Sequence, residues 1–399
     1  MTDTAPWARA ASGALLLDDS GRLAPTIFAE MTALAAATGA VNLGQGFPDE
    51  DGPVEVLEAA RDAVAAGINQ YPPGRGLPVL REAVAAHQER FYGLHPDPER
   101  EVLVTAGATE GLAAVLLALV DRGDEVVVLE PSYDAYGALV ALAGGTLRTV
   151  PLHAPGFRVD HDELRRAFSD RTRVVLVNDP HNPTGTVLDP ATRALVVELA
   201  ERHDAVVVTD EVYEHLLFDG APHVPIATLP GAAERTLTLS SAGKTFSVTG
   251  WKIGWLTGPA DLVEKVLTVK QYLTFSGGAP FQPAVAVGLG LPDAFFEGLA
   301  RSLQDRAALL TAGLTAAGFA VAPSAGTYFV LADAAPLGHA DAAALCRRLP
   351  DLAGVVGVPV SAFCRGPLAV EHASLIRFAA CKRVDVIERA VAGLAAMGA

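Results

Sequence analysis

Lysine is almost missing from this chain of 399 residues. Of thirty basic side chains only five are lysine: Lys244, Lys252, Lys265, Lys270 and Lys382. Arginine supplies nearly all the other positive charge, so a lysine here is unlike a casual surface residue. Cysteine is scarce as well. Cys346, Cys364 and Cys381 show neither paired nor metal-ligand spacing, which excludes a disulfide framework and makes a reduced, cytoplasmic protein the expectation. The ten histidines form no H-x-x-x-H helix signature with an adjacent glutamate, so no structural metal is expected. No apolar run reaches the length of a membrane span. The short stretch 14–17 ends at Asp18 and Asp19, and only Arg9 precedes it, so no signal peptide is expected. A net charge of −16 argues against unspecific binding to nucleic acid or anionic membranes.

A glycine-rich phosphate cradle is missing too. Gly243-Lys244-Thr245 imitates the end of a nucleotide-binding P-loop, but that motif needs a glycine where Thr238 stands. What is there instead is a primary amine in a small-residue turn, Ser240-Ser241-Ala242-Gly243-Lys244, after an apolar-alternating run. Such a turn sits at the carboxyl end of a strand, where open α/β sheets hold their ligands. An amine can form a Schiff base with a carbonyl; a guanidinium effectively cannot.

Half of the residues are hydrophobic and 19% are charged, ample for a large buried core. Short β-branched runs at 101–105, 125–130, 173–178, 205–210 and 236–240 alternate with helical patterns at 111–120, 136–143 and 190–203. That alternation predicts a mostly parallel sheet covered on both faces. Beyond about residue 285 the pattern changes to a long helix at 294–317, short strands at 328–331 and 375–378, and a final helix at 384–396. The expected division is an N-terminal arm with part of the small domain (1–45), a large domain (46–285) and a small α+β domain (286–399).

Polar residues stand where the strands end. Asn182-Pro183-Thr184-Gly185 is a turn signal. Asp210, in Asp210-Glu211-Val212-Tyr213, is either a site acid or a helix N-cap. Thr105-Ala106-Gly107-Ala108-Thr109-Glu110 opens a helix whose N–H groups could hold a phosphate, or Thr109 simply caps it.

Taken in this order with Lys244, these segments resemble the class I aminotransferases of fold type I, which depend on pyridoxal 5'-phosphate. The branch it resembles contains kynurenine–glutamine transaminases, methionine aminotransferases and actinobacterial N-succinyldiaminopimelate aminotransferases. Further segments carry the resemblance: Asn42-Leu43-Gly44-Gln45-Gly46-Phe47-Pro48-Asp49, Asn69-Gln70-Tyr71-Pro72-Pro73-Gly74, Gly250-Trp251-Lys252-Ile253-Gly254-Trp255 and Gly277-Gly278-Ala279-Pro280-Phe281-Gln282-Pro283. The resemblance implies an α/β large domain with a mostly parallel seven-stranded sheet between helices, plus a smaller α+β domain.

The resemblance also implies residue roles. Lys244 matches the lysine that holds the cofactor as a Schiff base and later moves the substrate's proton. Asp210 matches the carboxylate paired with the pyridine nitrogen, and Asn182 and Tyr213 match the groups bonded to the ring's phenolic oxygen. Tyr133 matches the aromatic stacked on the ring. Ala108, Thr109, Ser241 and Lys252 match the phosphate ligands; many relatives carry arginine at the last position, and lysine keeps the charge without the bidentate fork. Tyr71 matches a tyrosine that reaches the partner subunit's phosphate, which implies a homodimer. Arg377 matches the arginine for the substrate α-carboxylate, Gly46 brings main chain close to that group, and Phe28 falls where an aromatic lines the side-chain pocket. Arg75 could pair with a second carboxylate or be a solvated loop arginine.

The implied activity is ping-pong transfer of an amino group from an L-amino acid to a 2-oxo acid such as 2-oxoglutarate. N-succinyl-diaminopimelate, methionine, glutamine, kynurenine and aromatic amino acids are all compatible donors. A cysteine-conjugate C–S β-lyase on the same cofactor is the alternative. A regulator built on this fold would need a DNA-binding module, which is not expected here. A Rossmann dehydrogenase would need a third glycine where Asp49 stands.

Overall fold

Valine-rich runs buried on both faces form the centre of the molecule, as parallel strands covered by helices require. The computed structural model describes residues 5–18 and 20–397. Its large sheet has seven strands in the order Val102–Thr105, Gly254–Thr257, Thr236–Ser241, Val206–Asp210, Thr172–Asn178, Glu125–Glu130 and Thr146–Pro151. Gly254–Thr257 runs against both its neighbours, and the other pairings are parallel. Side chains alternate between two cores. Val126 and Val128 pack with the helices Gly107–Leu119, Asp134–Ala143 and Ala260–Lys270, while Val127 and Leu129 pack with His161–Ala167 and Pro190–Arg202.

Two strands of this sheet lie outside the five runs recognised in the sequence. Thr146–Pro151 is an edge strand, partly exposed and carrying Arg148, so it lacks the apolar signature of its buried neighbours. Gly254–Thr257 has only four residues and starts on a glycine, because a Cβ there would stand 2.6 Å from the Gly107 carbonyl carbon. The helix expected at 111–120 begins earlier, at Gly107 (φ +74°). Glu110 reaches back to accept a hydrogen bond from Ala106 N at 2.6 Å, and Thr109 does not cap the helix.

The second sheet is antiparallel: Val358–Pro359, Leu375–Ala379, Phe329–Asp333 and Ala320–Val321. Leu310, Leu345, Ile376 and Ile387 share its core with Met31 and Ala35 of the N-terminal helix Ile27–Thr38. The next residues, Val41–Asn42, pair in parallel with Val355–Val356. Helix Pro6–Gly13 lies elsewhere, against Asp134–Ala143, with Arg9 Nε donating to Ala141 O at 3.4 Å. No helix among the described residues is long and apolar enough to cross a membrane.

The consequence for the site is positional. Thr105, Glu130, Asn178, Asp210 and Ser241 are the last residues of strands that all run the same way, so the turns after them gather at one edge of the sheet. The loop after Val41–Asn42 and the strand Leu375–Ala379 meet them there.

Candidate active site

A cavity of about 240 Å³ opens at that edge. Lys244, Asp210, Tyr213, Asn182, Ala108, Thr109, Tyr133, Ser241, Lys252, Arg377, Gly46 and Phe28 all line it. Of the residues matched to the family's site, Tyr71 does not. It is 83% exposed, and its ring meets Phe275 at 5.8 Å. Arg75 also lies off this wall; it is engaged by Glu264 Oε2 at 2.6 Å and Arg100 O at 3.1 Å.

Lys244 follows the strand Thr236–Ser241 in a one-turn helix, Ala242–Thr245. Gly243 allows the tight passage, since a Cβ there would stand 3.0 Å from Thr249 Cα. The Lys244 amine donates to Gly46 O at 3.1 Å and has no anionic partner among the described residues. Burial pushes its pKa down, which favours the neutral, nucleophilic amine.

Asp210 ends its strand fully inside the protein. Burial pushes its pKa up, while Tyr136 opposes this by donating its hydroxyl to Oδ2 at 2.7 Å. No cationic side chain forms an ion pair with Asp210 among the described residues. Tyr136 was not recognised in the sequence; it is the third residue of a helix that packs into the core, and only the packing aims its hydroxyl at Asp210.

Asn182 is positioned by a chain of amides. Asn178 Nδ2 donates to Asp210 O at 2.7 Å, and Asn178 Oδ1 accepts from Asn182 N at 2.7 Å. The turn beyond is closed by Gly185 N donating to His181 O at 2.8 Å, with Gly185 at φ +70°. Beneath it, Asp179 is buried against Arg193 at 3.0 Å.

Arg377 sits mid-strand, opposite Leu331 on one side and Val358 on the other. Its guanidinium is stacked near Phe329, Phe363 and Phe28, at 4.1, 4.8 and 5.4 Å from the ring centres. Nη1 donates to Asn182 Oδ1 and Nη2 to Gly44 O, both at 2.8 Å, whereas Nε is buried without a partner among the described residues. Burial lowers its pKa to about 10, still charged at neutral pH. Gly46 accepts from both Lys244 and Tyr328 through its carbonyl, and a Cβ on it would fall 2.7 Å from the Phe329 ring.

The anion end of the cavity is built on the start of helix Gly107–Leu119. Lys252, at φ +55°, sends its Nζ to within 3.1 Å of where a Cβ on Gly107 would stand, so only glycine leaves that space open. Ser241 lines the same wall, and its hydroxyl is not used as a helix cap. The Tyr133 ring stands edge-on to Tyr136 at 5.6 Å, and burial raises its pKa.

Among the described residues, one cavity thus holds a part-buried amine without an anion, a buried carboxylate without a cation, and a buried guanidinium with a spare N–H. Its far wall offers backbone N–H groups and an ammonium. These complement a phosphorylated aromatic aldehyde with a protonated ring nitrogen, together with an α-carboxylate.

Comparison with known proteins accords with this geometry. The family model for aminotransferase class I and II matches residues 38–393. A probable N-succinyldiaminopimelate aminotransferase of Mycobacterium tuberculosis is 53% identical over 383 residues, covering 94% of this chain and 96% of the relative. The methionine aminotransferase of Escherichia coli is 41% identical over 346 residues, covering 87% and 90%. The solved structure of N-succinyldiaminopimelate aminotransferase from M. tuberculosis superposes with a TM-score of 0.91, covering 94% of this chain and 97% of that one.

Proposed function

The chain belongs to the aminotransferases of class I and II, and from that premise we propose N-succinyl-diaminopimelate as its amino donor and 2-oxoglutarate as its acceptor. It is an aminotransferase, and enzymes of its family generally use pyridoxal phosphate. The observation that carries the site assignment is the convergence on one cavity of the Lys244 amine, the buried Asp210 carboxylate and the buried Arg377 guanidinium, none of them in an ion pair among the described residues. The donor rests on the M. tuberculosis relative.

The residues fit the cofactor. Lys244 would hold it through Nζ, Asp210 would face its ring nitrogen, and Asn182 and Tyr213 its phenolic oxygen. Tyr133 would cover the ring, and Ala108, Thr109, Ser241 and Lys252 would take the phosphate. Bound there, pyridoxal phosphate supplies the electron sink and carries the amino group between two half-reactions. The Tyr136 hydroxyl opposes the effect of burial on Asp210 and so favours the carboxylate, which would hold a protonated ring nitrogen. Arg377 anchors the α-carboxylate of each substrate in turn, with Phe28 and Phe329 excluding water around the pair. Lys244, its amine favoured as the free base, takes the proton from the substrate Cα and returns it in the reverse direction.

We also propose a cytoplasmic homodimer. Support comes from Tyr71 and Phe275, whose rings meet at 5.8 Å while 83% and 48% exposed, a pair of exposed rings suited to a second copy. In that dimer Tyr71 would complete the partner's phosphate site. Nothing in the site or the relatives favours the C–S β-lyase.

The test is the visible band of the cofactor-loaded enzyme, titrated with single amino acids and with N-succinyl-diaminopimelate in the absence of any keto acid. Loss of the band with N-succinyl-diaminopimelate, and its return with 2-oxoglutarate, is the expected result. A faster response to methionine, glutamine, kynurenine or an aromatic donor overturns the donor but leaves the transaminase. Pyruvate released from a cysteine conjugate without an acceptor would point to the lyase.

A further inference from the structure

The residue after Tyr213 leaves the active-site cavity. Glu214 is buried and lines a second cavity, of about 530 Å³. Beside it stands His215, and from helix Pro78–Tyr92 comes His87. One nitrogen of each imidazole and a carboxylate oxygen of Glu214 all lie within 4.8 Å of one another. The two rings meet Nε2 to Nε2 at 2.7 Å.

Burial lowers the pKa of His87 to about 3 and that of His215 below its usual value, so both rings are neutral at pH 7. Two neutral rings share one proton at this contact, and His87 Nδ1 remains buried with no partner among the described residues. The Glu214 carboxylate is fixed in place by Tyr92, whose hydroxyl donates to Oε2 at 2.6 Å, and by a short bond from Ser240 Oγ to Oε1. Neutral imidazoles beside a carboxylate oriented by outer hydrogen bonds form the donor set of a zinc site.

We propose that His87, His215 and Glu214 bind a divalent transition-metal ion of the zinc type, with a further coordination position open to the 530 Å³ cavity. Ligand nitrogens on tetrahedral zinc stand about 3.3 Å apart. The rings would therefore separate by about half an ångström on binding. His215 forms part of the cavity wall and is only partly buried, so it has room to yield. The ion would tie helix Pro78–Tyr92 to the segment that carries Tyr213. Sequence spacing gave no hint of it, because 128 residues separate the two histidines.

The experiment is metal uptake by the holoenzyme after dialysis against a chelator. Zinc is added alone and bound metal is counted by mass spectrometry, for the wild type, His215→Gln and His87→Gln. The expected result is about one ion per chain, with affinity at least ~10-fold weaker in each variant, since loss of outer partners alone costs 10–100-fold. Uptake equal in wild type and variants, or no uptake by the wild type, overturns the site and leaves a hydrogen-bonded histidine pair. Zinc-edge X-ray absorption on the wild type decides the matter even if both variants fold poorly: two imidazoles around zinc support the proposal, and none overturns it.

Discussion

Replacing Arg377 by lysine tests the carboxylate anchor through two separable effects. The first is geometric. Arg377 is fixed by Asn182 Oδ1 and Gly44 O and keeps Nε–H free, so it can meet a carboxylate edge-on; an ammonium cannot keep those bonds and form the planar pair. Losing one charge-assisted hydrogen bond costs about 1.5–3 kcal/mol. That predicts kcat/KM lower by roughly 10–150-fold at pH 7 for every amino donor. The second effect is electrostatic. Burial lowers the guanidinium's pKa to about 10. A lysine starting near 10.4 in the same surroundings would come down to roughly 8. The anchor needs its positive charge, which is present below the pKa and lost as pH rises through it. The ratio of variant to wild-type kcat/KM should therefore be flat below about pH 7 and fall close to tenfold per pH unit above about pH 8. Taking the ratio cancels the ionisations that both enzymes share. The assay is single-turnover decay of the cofactor band from pH 6 to 9.5, with bound cofactor measured separately. A variant with wild-type kcat/KM, or a ratio that stays flat to pH 9.5, would refute the assignment of Arg377.

Lys244→Ala should retain fold and phosphate binding but lose the covalently held cofactor band, with turnover down roughly 10³-fold or more, checked by borohydride trapping and steady-state rates. Tyr136→Phe removes the 2.7 Å bond that holds the Asp210 charge; kcat should fall about tenfold or more, and a normal rate in this variant would mean that the bond is dispensable. Gly107→Ala forces a Cβ to φ +74° within 3.1 Å of Lys252 Nζ; cofactor affinity and thermal midpoint should both drop, by about 1–2 kcal/mol in stability, read by equilibrium dialysis and calorimetry.

How far the sequence carries varies along the chain. The five buried strands recognised as β-branched runs lie within a residue or so of their predicted ends, because burial on both faces leaves a compositional mark. The edge strand Thr146–Pro151 and the short Gly254–Thr257 carry no such mark; their pairing comes from neighbours, not from their own composition. Lys244 was legible because lysine is rare here and sits in a small-residue turn after a strand. Arg377 was legible only by resemblance, since an arginine between apolar residues is equally a structural ion pair.

The sequence by itself determined the layered α/β architecture, the loops that end its strands and the chemical types gathered in them, because periodicity and turn chemistry are local properties. Tertiary structure alone decided which groups complete one another. It made Tyr136 the partner of Asp210, placed Gly46 O between Lys244 and Tyr328, and tied Arg75 to Glu264 away from the cavity wall. It also set His87 against His215. Such pairings depend on the close approach of elements far apart in the chain, and no window of neighbouring residues encodes that distance.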